Sequence, residues 1–147
     1  MADATMPSKA TFRIWRGDAQ SGEFVDYQTE VSEGMVILDA VHQIQAESAG
    51  DLAVRWNCKA GKCGSCSAEI NGKPRLMCMT RLDEVDLSQP VTVEPMQAFP
   101  LIRDLATDVS WNFNVKKRIK PFKPRKPDND DGTWSMAQED VDRVQEF

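Results

Sequence analysis

The sequence predicts an α+β fold, and three observations carry that expectation. Residues Val25, Tyr27, Thr29 and Val31 alternate with Asp26, Gln28 and Glu30, the period-two pattern of a strand with one buried face. From Val36 to Glu47 the period changes: Ile37, Ala40, Val41 and Ile44 fall at i, i+3, i+4 and i+7, as an amphipathic helix requires. All four cysteines then lie between Asn57 and Thr80, three in a glycine-containing loop and the fourth beyond Asn71-Gly72, a strong hairpin signal. With 147 residues, 41% of them apolar, the chain can bury one compact domain and carry an extension that packs elsewhere.

Taken in order, residues 1 to 8 are small and polar and are expected to be disordered. Thr11 to Arg16 is the first strand, with Phe12 and Ile14 on one face, and Val25 to Val31 is the second. The turn-rich segment Gly17 to Gly22 makes them an antiparallel hairpin. The helix ends near Ala49-Gly50, a natural stop. His42, the only histidine, reads as a partly exposed helix residue and not as a proton-transfer group. Met35, Met77, Met79 and the four tryptophans read as packing. Leu52 to Trp56 leads, as a short strand or extended segment, into the cysteine loop.

A two-residue turn at Asn71-Gly72 pairs Ile70 with Lys73, Ala68 with Arg75 and Ser65 with Cys78. That register sets Cys78 one residue from Cys66 but on the opposite face, so the ladder must break at Cys66. Pro74 has no amide to give, which places it on an edge or beside the turn. Val91 to Glu94 is a last short strand, and Leu101 to Val109 a short helix. From Trp111 the chain is expected to be extended and irregular. Lys116 to Lys126 holds seven basic residues and no acid, with Pro121 and Pro124, while the other residues carry eleven basic against all twenty-three acidic groups. This run is either a solvated linker or a contact for an acidic partner or an anionic membrane surface. Ser135 to Phe147 starts a helix, capped by Ser135, with Met136, Val141, Val144 and Phe147 on a rough apolar face.

Several function classes are disfavoured. Met1 to Lys9 has no apolar run of the secretory kind, so the thiols are expected to bind metal and not to cross-link. No stretch approaches the ~20 apolar residues that cross a bilayer. A net charge of −5 and the lack of a recognition module argue against nucleic acid. There is no nucleophile triad, phosphate-binding glycine loop or paired carboxylates, so no residue is assigned a catalytic role.

The cysteines Cys58, Cys63, Cys66 and Cys78 have the spacing C-x4-C-x2-C-x11-C, the plant-type pattern for an iron-sulfur cluster. Structural zinc sites usually draw on two separated C-x2-C pairs. Here three candidate ligands crowd into nine residues and the fourth returns on a hairpin, which suits a 2Fe-2S cluster, with zinc or two disulfides as the alternatives. Gly61 and Gly64 let backbone amides approach the sulfurs and donate to them. Arg55, Lys59, Lys62, Lys73 and Arg75 surround the loop, and cations there favour the reduced cluster.

The stretch Arg55-Trp56-Asn57-Cys58-Lys59-Ala60-Gly61-Lys62-Cys63-Gly64-Ser65-Cys66, followed by Asn71-Gly72-Lys73-Pro74-Arg75-Leu76-Met77-Cys78, resembles the N-terminal 2Fe-2S domain of the iron-sulfur subunit of succinate dehydrogenase and fumarate reductase. The likeness continues through Phe99 to Leu105 and through Gln138 to Phe147, and looks most like the actinobacterial branch. It implies a β-grasp ferredoxin fold for residues 9 to 108, then a basic, proline-rich connecting segment and the first helix of a further, helical domain over 109 to 147. It also implies that Cys58, Cys63, Cys66 and Cys78 all ligate the cluster. In that family electrons pass from FAD on a flavoprotein subunit through this cluster to 4Fe-4S and 3Fe-4S clusters, then to quinone at a membrane anchor, on the cytoplasmic face of the membrane. The chain has no cysteine after Cys78, so the later clusters are expected in a missing C-terminal half or on another chain. The 2Fe-2S small subunit of a molybdenum hydroxylase, a stand-alone ferredoxin and a zinc-stabilised interaction module are the competing readings.

Overall fold

The computed structural model describes residues 7–119 and 126–145. Strands β1 (Lys9–Gly17) and β2 (Gly22–Glu30) form the expected antiparallel hairpin, with Phe12 opposite Tyr27 and Ile14 opposite Val25. Phe12 and Ile14 are fully buried, and β2 keeps its alternation, with Val25, Tyr27 and Thr29 turned inward. Helix α1 (Ile37–Glu47) buries the apolar positions that its period marks, together with Leu38. Next come β3 (Ser67–Ile70) and β4 (Lys73–Leu76), joined at Asn71-Gly72, where both residues have positive φ as the tight turn requires. The register pairs Ile70 with Lys73 and Ala68 with Arg75.

Strand β5 (Val91–Glu94) completes the sheet. It runs parallel to β1 and antiparallel to β3, which gives the order β2-β1-β5-β3-β4. Val91 and Val93 join Phe12, Ile14, Ile37, Val41 and Ile44 in one apolar core. Pro74 lies on β4, an edge strand, where a missing donor leaves no neighbour unpaired. A mixed sheet of this order holding one long helix is a β-grasp.

Two segments depart from the sequence reading. Leu101 to Val109 is not a helix but a small hairpin, β6 (Leu101–Arg103) and β7 (Ala106–Thr107). Leu101, Leu105 and Val109 have helical spacing, yet Asp104 takes a left-handed φ of 50°. The gain that outweighs helix formation is tertiary. The Asp104 carboxylate, 2% exposed, accepts from the amides of Gly17 (2.9 Å) and Ala53 (2.8 Å) and from Arg16 Nε (3.1 Å). The Asp104 amide returns a bond to the Gly17 carbonyl at 2.7 Å, and the Leu105 amide bonds the Ala53 carbonyl at 3.1 Å.

The second departure is α2 (Ser110–Arg118), where extended chain is the expectation. It buries no residue, so no apolar stripe announces it. Its end effects are favourable instead: Asp108 accepts from the Ser110 amide at 2.8 Å, and Lys116, Lys117 and Arg118 lie at the negative end of the helix dipole.

By its contacts the chain divides into one unit reaching Phe113 and another starting at Asn114. In the second, Asp131 and Asn129 close a turn on Thr133, and α3 (Gln138–Gln145) begins three residues later than the expected Ser135 cap. The Ser135 amide donates to Asp128 Oδ2 at 2.8 Å. The expectations for residues 1 to 6, for 120 to 125 with Pro121 and Pro124, and for Val144 and Phe147 on the apolar face fall outside the described residues or side chains. Ser8 is described, and its carbonyl accepts from the Val31 amide at 3.0 Å.

Candidate metal centre

Leu52 to Trp56 approaches the cysteines as extended chain, with Leu52 buried and Ala53 fixed at both its amide and its carbonyl by the Asp104–Leu105 turn. The backbone then coils through left-handed dihedrals at Lys59 (φ 52°), Gly61 (φ 67°) and Gly64 (φ 72°). At Gly61 two constraints coincide: a Cβ would adopt a disfavoured φ and would also lie 2.9 Å from Met79 Cγ. Lys59 carries a side chain in that same region, a local cost that the surroundings must offset.

This coiling turns amides towards sulfur. Cys58 Sγ accepts from the amides of Ala60 (3.4 Å), Lys62 (3.4 Å) and Cys63 (3.3 Å), and Cys63 Sγ accepts from the Ser65 amide (3.4 Å). Donors aimed at a sulfur stabilise its negative form, and the Cys63 thiol shows it. The Ser65 hydroxyl, followed by the neighbouring amides, lowers its pKa from the ordinary 9.0 to about 6.

Cys66 and Cys78 are set by the hairpin. Its ladder stops at Ser67 opposite Leu76, so the break falls at Cys66 as the register demands. There the Ser67 amide turns back to the Gly64 carbonyl (3.1 Å), and the Met77 amide bonds the Cys66 carbonyl (3.0 Å). Cys78 follows in a tight turn in which the amides of Met79 and Thr80 both bond the Leu76 carbonyl. Helix α1 fixes that turn with two amides of its first turn, Ile37 to the Thr80 carbonyl (2.9 Å) and Leu38 to the Met77 carbonyl (3.1 Å). Cys66 and Cys78 are 3% and 7% exposed, Cys58 is half-buried and Cys63 is open to solvent. Burial pushes the Cys66 thiol up, and the adjoining Cys78 side chain adds to the rise.

The two halves of the motif thus present two neighbouring pairs, Cys58 with Cys63 and Cys66 with Cys78. All four thiols are free. Four sulfurs in two pairs, with amide donors already directed at the more exposed pair, match the donor chemistry of a thiolate-bound 2Fe-2S cluster.

Of the surrounding cations, Arg75 pairs with Glu84 at 3.5 Å and Arg55 Nη1 donates to the Thr107 carbonyl at 2.8 Å. A cavity of about 370 Å³ opens beside Cys63, with Arg55, Met96, Phe99, Thr107 and Phe113 in its wall. The sequence reading missed how His42, Trp56 and Lys59 associate. The rings of His42 and Trp56 meet edge to face at 4.9 Å, and Lys59 Nζ lies over the Trp56 ring, 4.9 Å from its centroid. Only the adjacency of Trp56 and Lys59 to Cys58 hinted at it.

Residues 11–114 match the family model described as a 2Fe-2S iron-sulfur cluster binding domain, and the chain belongs to that family. Its cofactor is accordingly a 2Fe-2S cluster. Among curated relatives, the fumarate reductase iron-sulfur subunit of Mycobacterium tuberculosis is 36% identical over 126 residues, covering 84% of this chain and 51% of the relative. The succinate dehydrogenase iron-sulfur subunit of Bacillus subtilis is 41% identical over 94 residues, 64% of this chain and 34% of the relative. Among solved structures, a chain of the Mycobacterium smegmatis Sdh1 complex in the apo form superposes with a TM-score of 0.81 at 55% identity, covering 97% of this chain and 59% of that one. The chain spans about half the length of the first of these curated relatives.

Proposed function

We propose that this chain is the electron-carrying part of the iron-sulfur subunit of a succinate dehydrogenase or fumarate reductase, with Cys58, Cys63, Cys66 and Cys78 as the cluster ligands. The observation that carries the reading is the cysteine loop itself: amides converge on Cys58 and Cys63 while the hairpin turn brings Cys78 to Cys66. The cluster, when bound, supplies reversible one-electron transfer. The protein's share is to offer thiolates, direct N–H dipoles at them and exclude water from Cys66 and Cys78. The other part of the loop remains accessible at Cys63, and Trp56 and Met79 within the same motif are exposed as well (49% and 55%). On this reading an FAD-bearing flavoprotein subunit exchanges electrons across that accessible edge. Residues 109–147 lead on towards the part of the subunit that holds the 4Fe-4S and 3Fe-4S clusters, and quinone is reached at a membrane-anchor subunit. Attachment to the membrane, on its cytoplasmic face, is through those partners on this reading; among the described residues no helix is long and apolar enough to cross a membrane.

Anaerobic purification followed by visible spectroscopy and iron and sulfide analysis tests the ligand assignment. A coloured protein with equal iron and acid-labile sulfide is expected, and a colourless, zinc-loaded one would overturn it. Mixing with the cognate flavoprotein tests the rest: succinate should bleach the cluster only when the flavoprotein is present.

A further inference from the structure

Helix α1 braces the cysteine loop at two places. Its first turn bonds the carbonyls of Met77 and Thr80 on either side of Cys78. One turn on, His42 packs against Trp56, two residues ahead of Cys58, and Trp56 in turn carries the ammonium of Lys59. A centroid distance of 4.9 Å is within cation–π range, and the ring is itself anchored by the imidazole behind it. His42 Nε2 is buried without a hydrogen-bond partner, and burial, followed by the Lys59 charge, lowers the His42 pKa below 6.5. The imidazole is therefore neutral near pH 7 and adds no charge of its own. Lys59 makes no ion pair among the described residues, in contrast to Arg75 with Glu84. Lys59 follows Cys58 directly in the chain, and although the residue is exposed, its unneutralised ammonium lies over the Trp56 ring.

We propose that Trp56 is a positioning residue for the reduction potential: by holding over its ring the ammonium of Lys59, the residue that follows Cys58, it favours the reduced cluster. The inference rests on the ligand assignment proposed above. Reduction adds one electron to the cluster and breaks no bond, so a fixed positive charge next to a ligand stabilises the product more than the reactant. A lysine that swings freely in water is screened and contributes less.

The test is a dithionite titration of the full chain loaded with its cluster, at low ionic strength, with the visible spectrum recorded throughout. K59N suits the left-handed backbone while removing the charge, and should shift the reduction equilibrium several-fold towards the oxidised form. W56L should shift it in the same direction by less, and W56F by less again. The double variant W56L/K59N should go no further than K59N, and K59R should restore the unmutated value. An undiminished W56L effect in the K59N background, or a K59N titration that superposes on the unmutated one, overturns the inference. Should W56L fail to load, W56F alone and combined with K59N decides by the same comparison. An unmutated chain without a 2Fe-2S spectrum refutes the ligand assignment instead, so the two failures are distinguishable.

Discussion

Asp104 is the residue whose replacement should reveal how the cysteine loop is held. Its carboxylate joins the end of β1 through Gly17 and Arg16 to the approach to the loop through Ala53, with Arg103 Nε a further 3.5 Å away. In Asp104→Asn one oxygen remains to accept, but the amide group must present N–H to a backbone amide or a guanidinium. At least one buried donor then loses its partner, at a cost of about 1–3 kcal/mol, and Arg16 loses its buried counter-charge. Breaking a buried charged pair from one side typically costs about 3–5 kcal/mol, and Asp51 and Tyr27 still satisfy part of Arg16, so the lower end, about 3 kcal/mol, is expected. With a urea dependence of about 2 kcal/mol per molar, the midpoint of unfolding followed by far-UV circular dichroism should fall by about 1.5 M. Because Ala53 lies upstream of Cys58, visible bleaching of the loaded protein should move to lower urea in parallel. A change below about 0.5 kcal/mol, the range of an ordinary surface substitution, would refute the argument that Asp104 converts this segment from helix to hairpin and anchors the loop.

Gly61→Ala should cost more than Gly64→Ala, although both have positive φ, because only at Gly61 does a Cβ meet Met79; Met79→Ala should recover the difference but not the shared cost of about 1–2 kcal/mol, as read by thermal unfolding. Cys78→Ala should abolish the cluster spectrum while Met79→Ala preserves it; equal effects of the two on absorbance would contradict the ligand assignment. Glu94 lies opposite Glu69 across β5 and β3, and burial, then that neighbour, raises its pKa above 4.5. A raised carboxyl pKa disfavours the folded state once pH exceeds the unfolded value, so Glu94→Gln should stabilise by about 0.5 kcal/mol at pH 7, with the gain disappearing below about pH 4. Denaturation at both pH values checks the sign.

Local pattern was a good guide wherever the determinants are local. Asn71-Gly72 set a register that Ile70, Lys73, Ala68 and Arg75 follow, and the alternation of β2 and the period of α1 reappear as their buried faces. The break at Cys66 could be deduced by counting along the hairpin. Leu101 to Val109 misled because its helical spacing competes with Asp104, whose partners Gly17 and Ala53 are remote in sequence. Helix α2 was invisible to a test based on buried periodicity because it buries nothing. At the candidate centre, cysteine spacing was enough to mark the four candidate ligands. What it could not disclose was which side chains brace the loop, since His42 reaches Trp56 only after α1 has packed.

The placement of β5 has a consequence for how the cofactor site is assembled. The sheet consists of two hairpins that can each form locally, β1 with β2 and β3 with β4, and the cysteines Cys66 and Cys78 flank the second. Among the described residues, the four of Val91 to Glu94 form the only strand shared between them. During synthesis every cysteine therefore emerges before the strand that joins the halves. Weakening Val91 or Val93 would leave both hairpins their own turns and ladders while loosening the metal-bearing one from its support, so cluster retention is a more sensitive gauge of that strand than secondary structure content.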